Sequence, residues 1–166
     1  MATKTEVIGG LEFLIQEAKR IGAPGSGLTE EQWAIQNHDD GGAWNNREVI
    51  AHIASVGAIV VPFMGALASA PEGADLMSGM DIDAMNAQNV TQRADKSVAD
   101  LVAEIETTYK GVLEWARGVP DDVLAKKVSL GGHKDIPLGD QLFRMIILHG
   151  VGHIYSCYGA SFFAGR

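Results

Sequence analysis

The chain has 166 residues, about the size of one domain around a single core. Its net charge of -8, from 21 acidic against 13 basic residues with no Lys/Arg stripe, disfavours nucleic acid and anionic membrane surfaces as partners. The single cysteine, Cys157, excludes an internal disulfide, and residues 1–7 lack the basic start and apolar run of a secretory signal, so a cytoplasmic location is expected.

Residues 5–21 place Val7, Leu11, Leu14, Ile15, Ala18 and Ile21 three and four apart, the period of an amphipathic helix. Gly22, Pro24, Gly25 and Gly27 mark a turn, after which Thr29 with Gln32 has the spacing of a capping box opening a short helix through Ala34. Residues 39–46 are rich in turn formers, and Asn45 with Glu48 is placed to cap a second long helix. That helix carries Val49, His52, Ile53, Val56 and Val60 along one side, and Pro62 is expected to kink it or end its regular hydrogen bonding. Residues 53–70 run without a charge and approach bilayer-spanning length. Ser55, Gly57, Pro62, Gly65 and Ser69 dilute the stretch, so it reads as a helix buried in a bundle and not as a membrane span.

Residues 71–80 read as a loop, and residues 81–93 return to helical spacing through Ile82, Met85 and Val90. Ser97 with Asp100 opens a further helix carrying Leu101, Ile105, Val112, Leu113 and Ala116, which Gly118 and Pro120 stop. Residues 127–130 and 134–137 flank Gly131 and Gly132 in the manner of a small hairpin or an irregular loop. The last helix starts near Leu138 and carries Leu142, Phe143, Ile146, His149, His153 and Cys157. No internal repeat interrupts a single domain over residues 1–166, and long helices with short connections predict an all-α, up-and-down helix bundle.

His149 and His153 stand four apart on the last helix, so both imidazoles share one face and form half a metal site. The same spacing also suits two ordinary core or surface histidines. His52 lies on an apolar face beside Val49, Ile53 and Val56, where a neutral ring needs a partner. A cation shared with His149 and His153 supplies one.

Trp44, then His52 eight residues on, then a hairpin-like loop and H-x-x-x-H on the last helix: this order resembles the DinB-like superfamily of four-helix-bundle proteins. Residues 81–86 and 97–113 are also similar to the metal-binding domain of mycothiol-dependent maleylpyruvate isomerases, a group of the same superfamily that commonly has a carboxylate where His149 stands. The resemblance implies an up-down-down-up bundle with a short extra helix, and a divalent metal ion, zinc or nickel, held by His52, His149 and His153. It further implies a small-molecule substrate and a low-molecular-weight thiol used in S-transfer or isomerisation. Hydrolysis by the same ion is the other chemistry open to three neutral ligands.

Around this set, Trp44 reads either as an aromatic wall of the pocket or as a hydrophobic staple at the helix start, and Asp83 and Asn86 are candidates for polar lining. His38, Asp39, Asp40 and His133 are loop residues that either line the mouth of the site or are simply solvated. Cys157 reads as a buried packing residue before a fourth ligand, and Met64, Met85 and Met145 as core fillers. A homodimer is a further expectation, through the apolar second helix and Phe162-Phe163. Two other classes compete with an enzyme: a non-catalytic metal-binding or ligand-binding bundle, and an acidic interaction module with bare histidines.

Overall fold

Short polar side chains open the helices. Thr29, Asn45 and Ser97 each accept from the backbone N–H three residues on, and Gln32, Glu48 and Asp100 return the bond, as their spacing predicts. Thr3 and Glu6 do the same for the first helix. The computed structural model describes residues 1–25, 27–38, 44–130 and 133–164. In chain order the elements are α1 (Lys4–Ile21), α2 (Glu30–Trp33), β1 (Gln36–Asn37), β2 (Trp44–Asn45), α3 (Asn46–Ser69), α4 (Ile82–Thr91), α5 (Val98–Gly118), α6 (Asp121–Ala125), β3 (Lys127–Leu130), β4 (His133–Pro137), α7 (Leu138–Gln141), a π-helical stretch (Leu142–Leu148) and α8 (His149–Ala164). The last three follow without a break as one long helix, residues 138–164.

Side-chain contacts give each long helix its direction. Lys19 pairs with Glu106 at 3.1 Å and Glu12 with Arg117 at 2.9 Å, so α1 and α5 run antiparallel. Arg47 donates to the carbonyls of Arg93 and Ala94 just ahead of α5, the Tyr109 hydroxyl reaches the Ile53 carbonyl, and Gly111 faces Val61, so α3 and α5 run parallel. Asn46 meets Cys157 and Ser161 while His52 meets His149, which makes α3 antiparallel to the last helix. Gly10 lies at Ile147, Leu14 at Gly150 and Arg20 over Tyr158, so α1 is parallel to it. The order is up-down-down-up, with α1 diagonal to α3 and α5 diagonal to the last helix.

Close approach at two crossings depends on glycine. A Cβ at Gly57 of α3 would lie 2.4 Å from Thr108 Oγ1 and 2.5 Å from the Tyr109 ring on α5, and one at Gly150 would lie 2.7 Å from Leu14 on α1. Tyr109 fills the space between these crossings, wholly buried, with its hydroxyl directed at the Ile53 carbonyl at 3.4 Å.

α3 continues past Pro62 to Ser69, so the proline does not end the helix. The proline ring deprives the Ala58 carbonyl of its donor, but Ala58 and Pro62 both face outward, where water can take the missing place. Among the described residues α3 is the helix long and apolar enough to cross a membrane, and 56% of that stretch is buried within the fold. The Lys126 ammonium donates to the carbonyls of Leu67, Ala68 and Ala70, closing the C-terminal end of α3 and tying it to the β3–β4 hairpin.

β3 and β4 pair antiparallel, with Val128 opposite Ile136 and Leu130 opposite His133, while Gly131 and Gly132 lie outside the described residues. The β1–β2 pair, Gln36 with Asn45 and Asn37 with Trp44, has no counterpart in the sequence reading, because two-residue strands show no alternation.

Filling the α3–α5 crossing tests this packing. Gly57→Val is expected to destabilise the fold by about 1–3 kcal/mol or more through overpacking, read as a fall of several degrees in the melting temperature. An unchanged melting temperature would contradict the close approach.

Candidate metal centre

His52 lies two turns into α3 on its buried face, His149 opens α8, and His153 follows one turn later. The antiparallel crossing of these helices brings His149 Nε2 to 3.1 Å from His52 Nε2 and 2.9 Å from His153 Nε2. Among the described residues these three form the group of His, Cys, Asp or Glu side chains whose donor atoms converge, all within 4.8 Å.

A neutral imidazole offers one N–H and one lone pair. Three Nε2 atoms turned toward one another therefore need a shared proton or a shared cation between them. In a tetrahedral zinc site the ligand nitrogens stand about 3.3 Å apart, given Zn–N lengths of about 2.0–2.1 Å. The two spacings that meet at His149 are close to that and the third pair lies within 4.8 Å, so the three donors can converge on one divalent ion.

Burial keeps the His52 ring in the form that binds metal. His52 is only 3% exposed, and its loss of solvent, reinforced by the neighbouring His153 and His149, lowers its pKa to about 3. The same loss of solvent, with His153 beside it, lowers His149 to about 4, although one side of His149 stays open to water. His52 Nδ1 is buried without a hydrogen-bond partner, so packing sets the ring's orientation. The indole of Trp44 supplies it, its ring tilted by 33° against His52 at 5.0 Å between centroids. Trp44 also precedes the N-cap Asn45, so it stands at once at the wall of the site and at the start of the helix.

A buried polar clamp fixes the two helices in register. The Asn46 amide donates to the Gln32 carbonyl at 2.9 Å, the Ser161 hydroxyl at 3.0 Å and the Cys157 carbonyl at 3.3 Å. Asn37 donates to the Asn46 amide oxygen at 3.1 Å and to Ser156 Oγ at 2.9 Å, which fastens the β1–β2 pair to α8. Cys157 sits inside this clamp, wholly buried, with its thiol 3.7 Å from the Asn46 carbonyl and outside the convergent histidine group.

The π-helical stretch sets the phase of the last helix. Leu138 and Gln141 are buried before it and Leu142 at its first residue, and an unbroken α-helix carried on from them would bring residue 149 close to the centre of the buried face and turn residue 153 toward it. A π turn takes one extra residue. The buried positions after it are accordingly Gly150, Ile154, Cys157 and Ser161, and the two histidines stand at the edge of the core, toward α3 and solvent.

From the triad an apolar groove runs along the outside of α3. His52 and His149 form one end of a cavity of about 170 Å³ whose walls include Ile59, Phe63, Met64, Met77 and Met85. Met85 and Met145, expected in the core, instead line this groove, and Met145 is 37% exposed; Met64 is buried as expected while also touching the cavity. Asn86 is on the groove wall, whereas Asp83, on the other side of the short α4, is exposed and does not line it. His38 is exposed and borders a separate pocket with Ile35 and Phe163. Asp39, Asp40 and the His133 side chain lie outside the described residues.

Ile59, Phe63 and Met77 were missed as groove residues, because apolar side chains on a helix and its following loop look like core until the return of the chain is known. The phase slip did leave a signal: the apolar positions before residue 143 and after residue 149 do not fit one α-helical period.

Residues 26–156 match the DinB superfamily. No curated protein matches the chain. Among solved structures the fold is similar to one described as "YfiT from Bacillus subtilis is a probable metal-dependent hydrolase with an unusual four-helix bundle topology", with a TM-score of 0.76 and 18% sequence identity over 98% of this chain and 87% of that one.

Acid provides a test of the neutral rings. In the fold His52 and His149 stay unprotonated at pH values where histidine in an unfolded chain, near 6.5, takes up protons. Stability of the ion-free protein is therefore full above about pH 6.5 and is lost progressively as pH falls toward the folded-state values of about 3 and 4. Thermal melts of chelator-treated protein from about pH 7.5 to about pH 4.5 are expected to show a falling melting temperature, and His52→Gln to flatten that fall. Melting that ignores pH over this range would contradict the assignment.

Proposed function

This chain belongs to the DinB superfamily, and from that premise we propose that it holds one divalent cation, zinc or nickel, on His52, His149 and His153 and hydrolyses a small electrophilic substrate. The meeting of three Nε2 atoms at 2.9 and 3.1 Å carries this reading. Three protein donors are the number found in catalytic zinc sites, where a further position is kept for water or substrate. The description of YfiT as a probable metal-dependent hydrolase on the same fold supports it.

When bound, such an ion supplies Lewis-acid chemistry, making a water or thiol more acidic and polarising a carbonyl oxygen. The chain's own residues do the rest. All three ligands are neutral, so they leave the cation's charge undiminished toward an incoming anion or carbonyl. Trp44 holds the His52 ring and excludes water from its buried side, while the open flank of His149 admits substrate. The reading assumes a cytoplasmic setting, in which Cys157 stays reduced.

The apolar flank of the site favours a second chemistry on the same ligands. The groove beside His52 and His149 is walled by hydrocarbon and thioether groups, surroundings better suited to a weakly hydrated thiolate than to hydroxide. A low-molecular-weight thiol that gives up its proton to water there would attack the same electrophile, its sulfur bonding to the carbon as the leaving group departs with the electron pair of the broken bond, making the protein a thiol transferase.

Elemental analysis of tag-free protein is expected to find about one divalent ion per chain. His52→Ala should lower metal affinity more than the roughly 10- to 100-fold that loss of an outer-shell partner costs, and His149→Ala/His153→Ala should remove the ion. Full occupancy in the double variant would reject the site. Zinc-loaded protein assayed on activated esters with and without added thiol separates the two chemistries: turnover without thiol supports hydrolysis, and turnover only with thiol supports transfer. Equal turnover after chelation would overturn both.

A further inference from the structure

The groove beside the triad is larger than the reacting group of a small electrophile requires, and its chemistry is uniform. Its inner part, about 170 Å³, is shared by α3, α4 with the segment leading into it, the β3–β4 hairpin and the last helix. An outer shelf of about 390 Å³ continues from it over Ile59, Phe63, Met77 and Met85 to Pro62 and Met80. No charged side chain lines either part among the described residues, and Asn86 is the amide at the wall. Ile59 is 42% exposed and Met80 53%, so large apolar side chains here are left open to solvent. Such exposure beside a convergent polar cluster is the pattern of a ligand site and not of a surface that only needs to stay soluble.

Size selects the ligand. A dry apolar cavity of about 150 Å³ takes one benzene ring, which is close to the inner part of this groove. We propose that the substrate carries an apolar arm of about six carbons, an alkyl chain or a single ring, that enters this groove and sets its carbonyl-type reacting group at the histidine triad. Methionine suits the task because its unbranched thioether adapts to different hydrocarbon shapes. Longer arms continue onto the outer shelf, where they remain half in water and gain less. The proposal rests on the reading of the triad as an ion site only for where the reacting group lies; the apolar arm is recognised by the groove itself.

Straight-chain carboxylates from acetate to octanoate serve as probes, with the carboxylate standing in for the reacting group. Protein labelled at the methionine methyl carbons is titrated with each, with and without zinc, and followed by NMR. Each added methylene up to about hexanoate is expected to tighten binding by as much as about fourfold, with smaller gains beyond. The methyl signals of Met64, Met77, Met85 and Met145 should move while that of Met1, exposed and outside the groove lining, stays fixed. Ile59→Glu, at an exposed groove position, should abolish the chain-length dependence and leave zinc stoichiometry intact, and Met85→Glu should do the same. Hexanoate that binds no tighter than acetate while zinc still binds would overturn the groove and leave the ion site standing. Methionine shifts of equal size and affinity with and without zinc would keep the groove and overturn the ion site as the seat of the reacting group. Shifts that persist unchanged in both variants would overturn the proposal.

Discussion

The amide of Asn46, buried at the first turn of α3, fixes where that helix lies on the last one, and the approach of His52 to His149 and His153 follows from this contact. It reaches α2 at the Gln32 carbonyl and α8 at Cys157 and Ser161. An amide in such a place is costly unless its hydrogen bonds are made, and they can be made only in one register of the two helices. Sliding α3 by a turn would leave Asn46 unsatisfied and separate His52 from His149. Specificity of register thus comes from a polar group, while the bulk of the burial comes from the apolar faces around it.

The last helix solves a conflict between packing and chemistry. Its first turns pack through Leu138 and Leu142, and continuing that face would drive both histidines into the core, where Leu14 and Tyr109 leave no room for a ligand. One extra residue in the π-helical stretch hands the core positions to Gly150 and Ile154 and leaves the imidazoles at the rim. Gly150 is needed for the same reason, since any side chain there would meet Leu14.

Much of this was legible in the amino-acid sequence, and the parts that were share a physical cause. Capping at Thr29, Asn45 and Ser97 is decided within four residues, and the helix faces are decided by a period that any window of three turns reveals. His52, His149 and His153 were legible as a set through their spacing and through the family pattern around Trp44. The π-helical phase shift left only a break in the apolar period, while the Asn37–Asn46 clamp depends on partners more than a hundred residues away and the groove on which side of a short helix faces its neighbour. Asp83 and Asn86 illustrate the last point: three residues apart on α4, one is in solvent and the other on the groove wall. Pro62 shows the limit of a local rule, because its cost depends on whether the orphaned carbonyl faces water, which only the fold decides.

The parallel pairing of α3 with α5 has a consequence for how such a protein can diversify. Two neighbouring helices that point the same way must be joined by a chain that travels back along their length, and here that return segment carries Met77, Met85 and Asn86 across the open face of α3. α4, the helix within it, buries only Val90. The strap is therefore free to accept substitutions that the bundle core and the histidines cannot tolerate. Lineages sharing this topology can exchange one guest molecule for another by rewriting a peripheral connector, with the cation seat inherited unchanged.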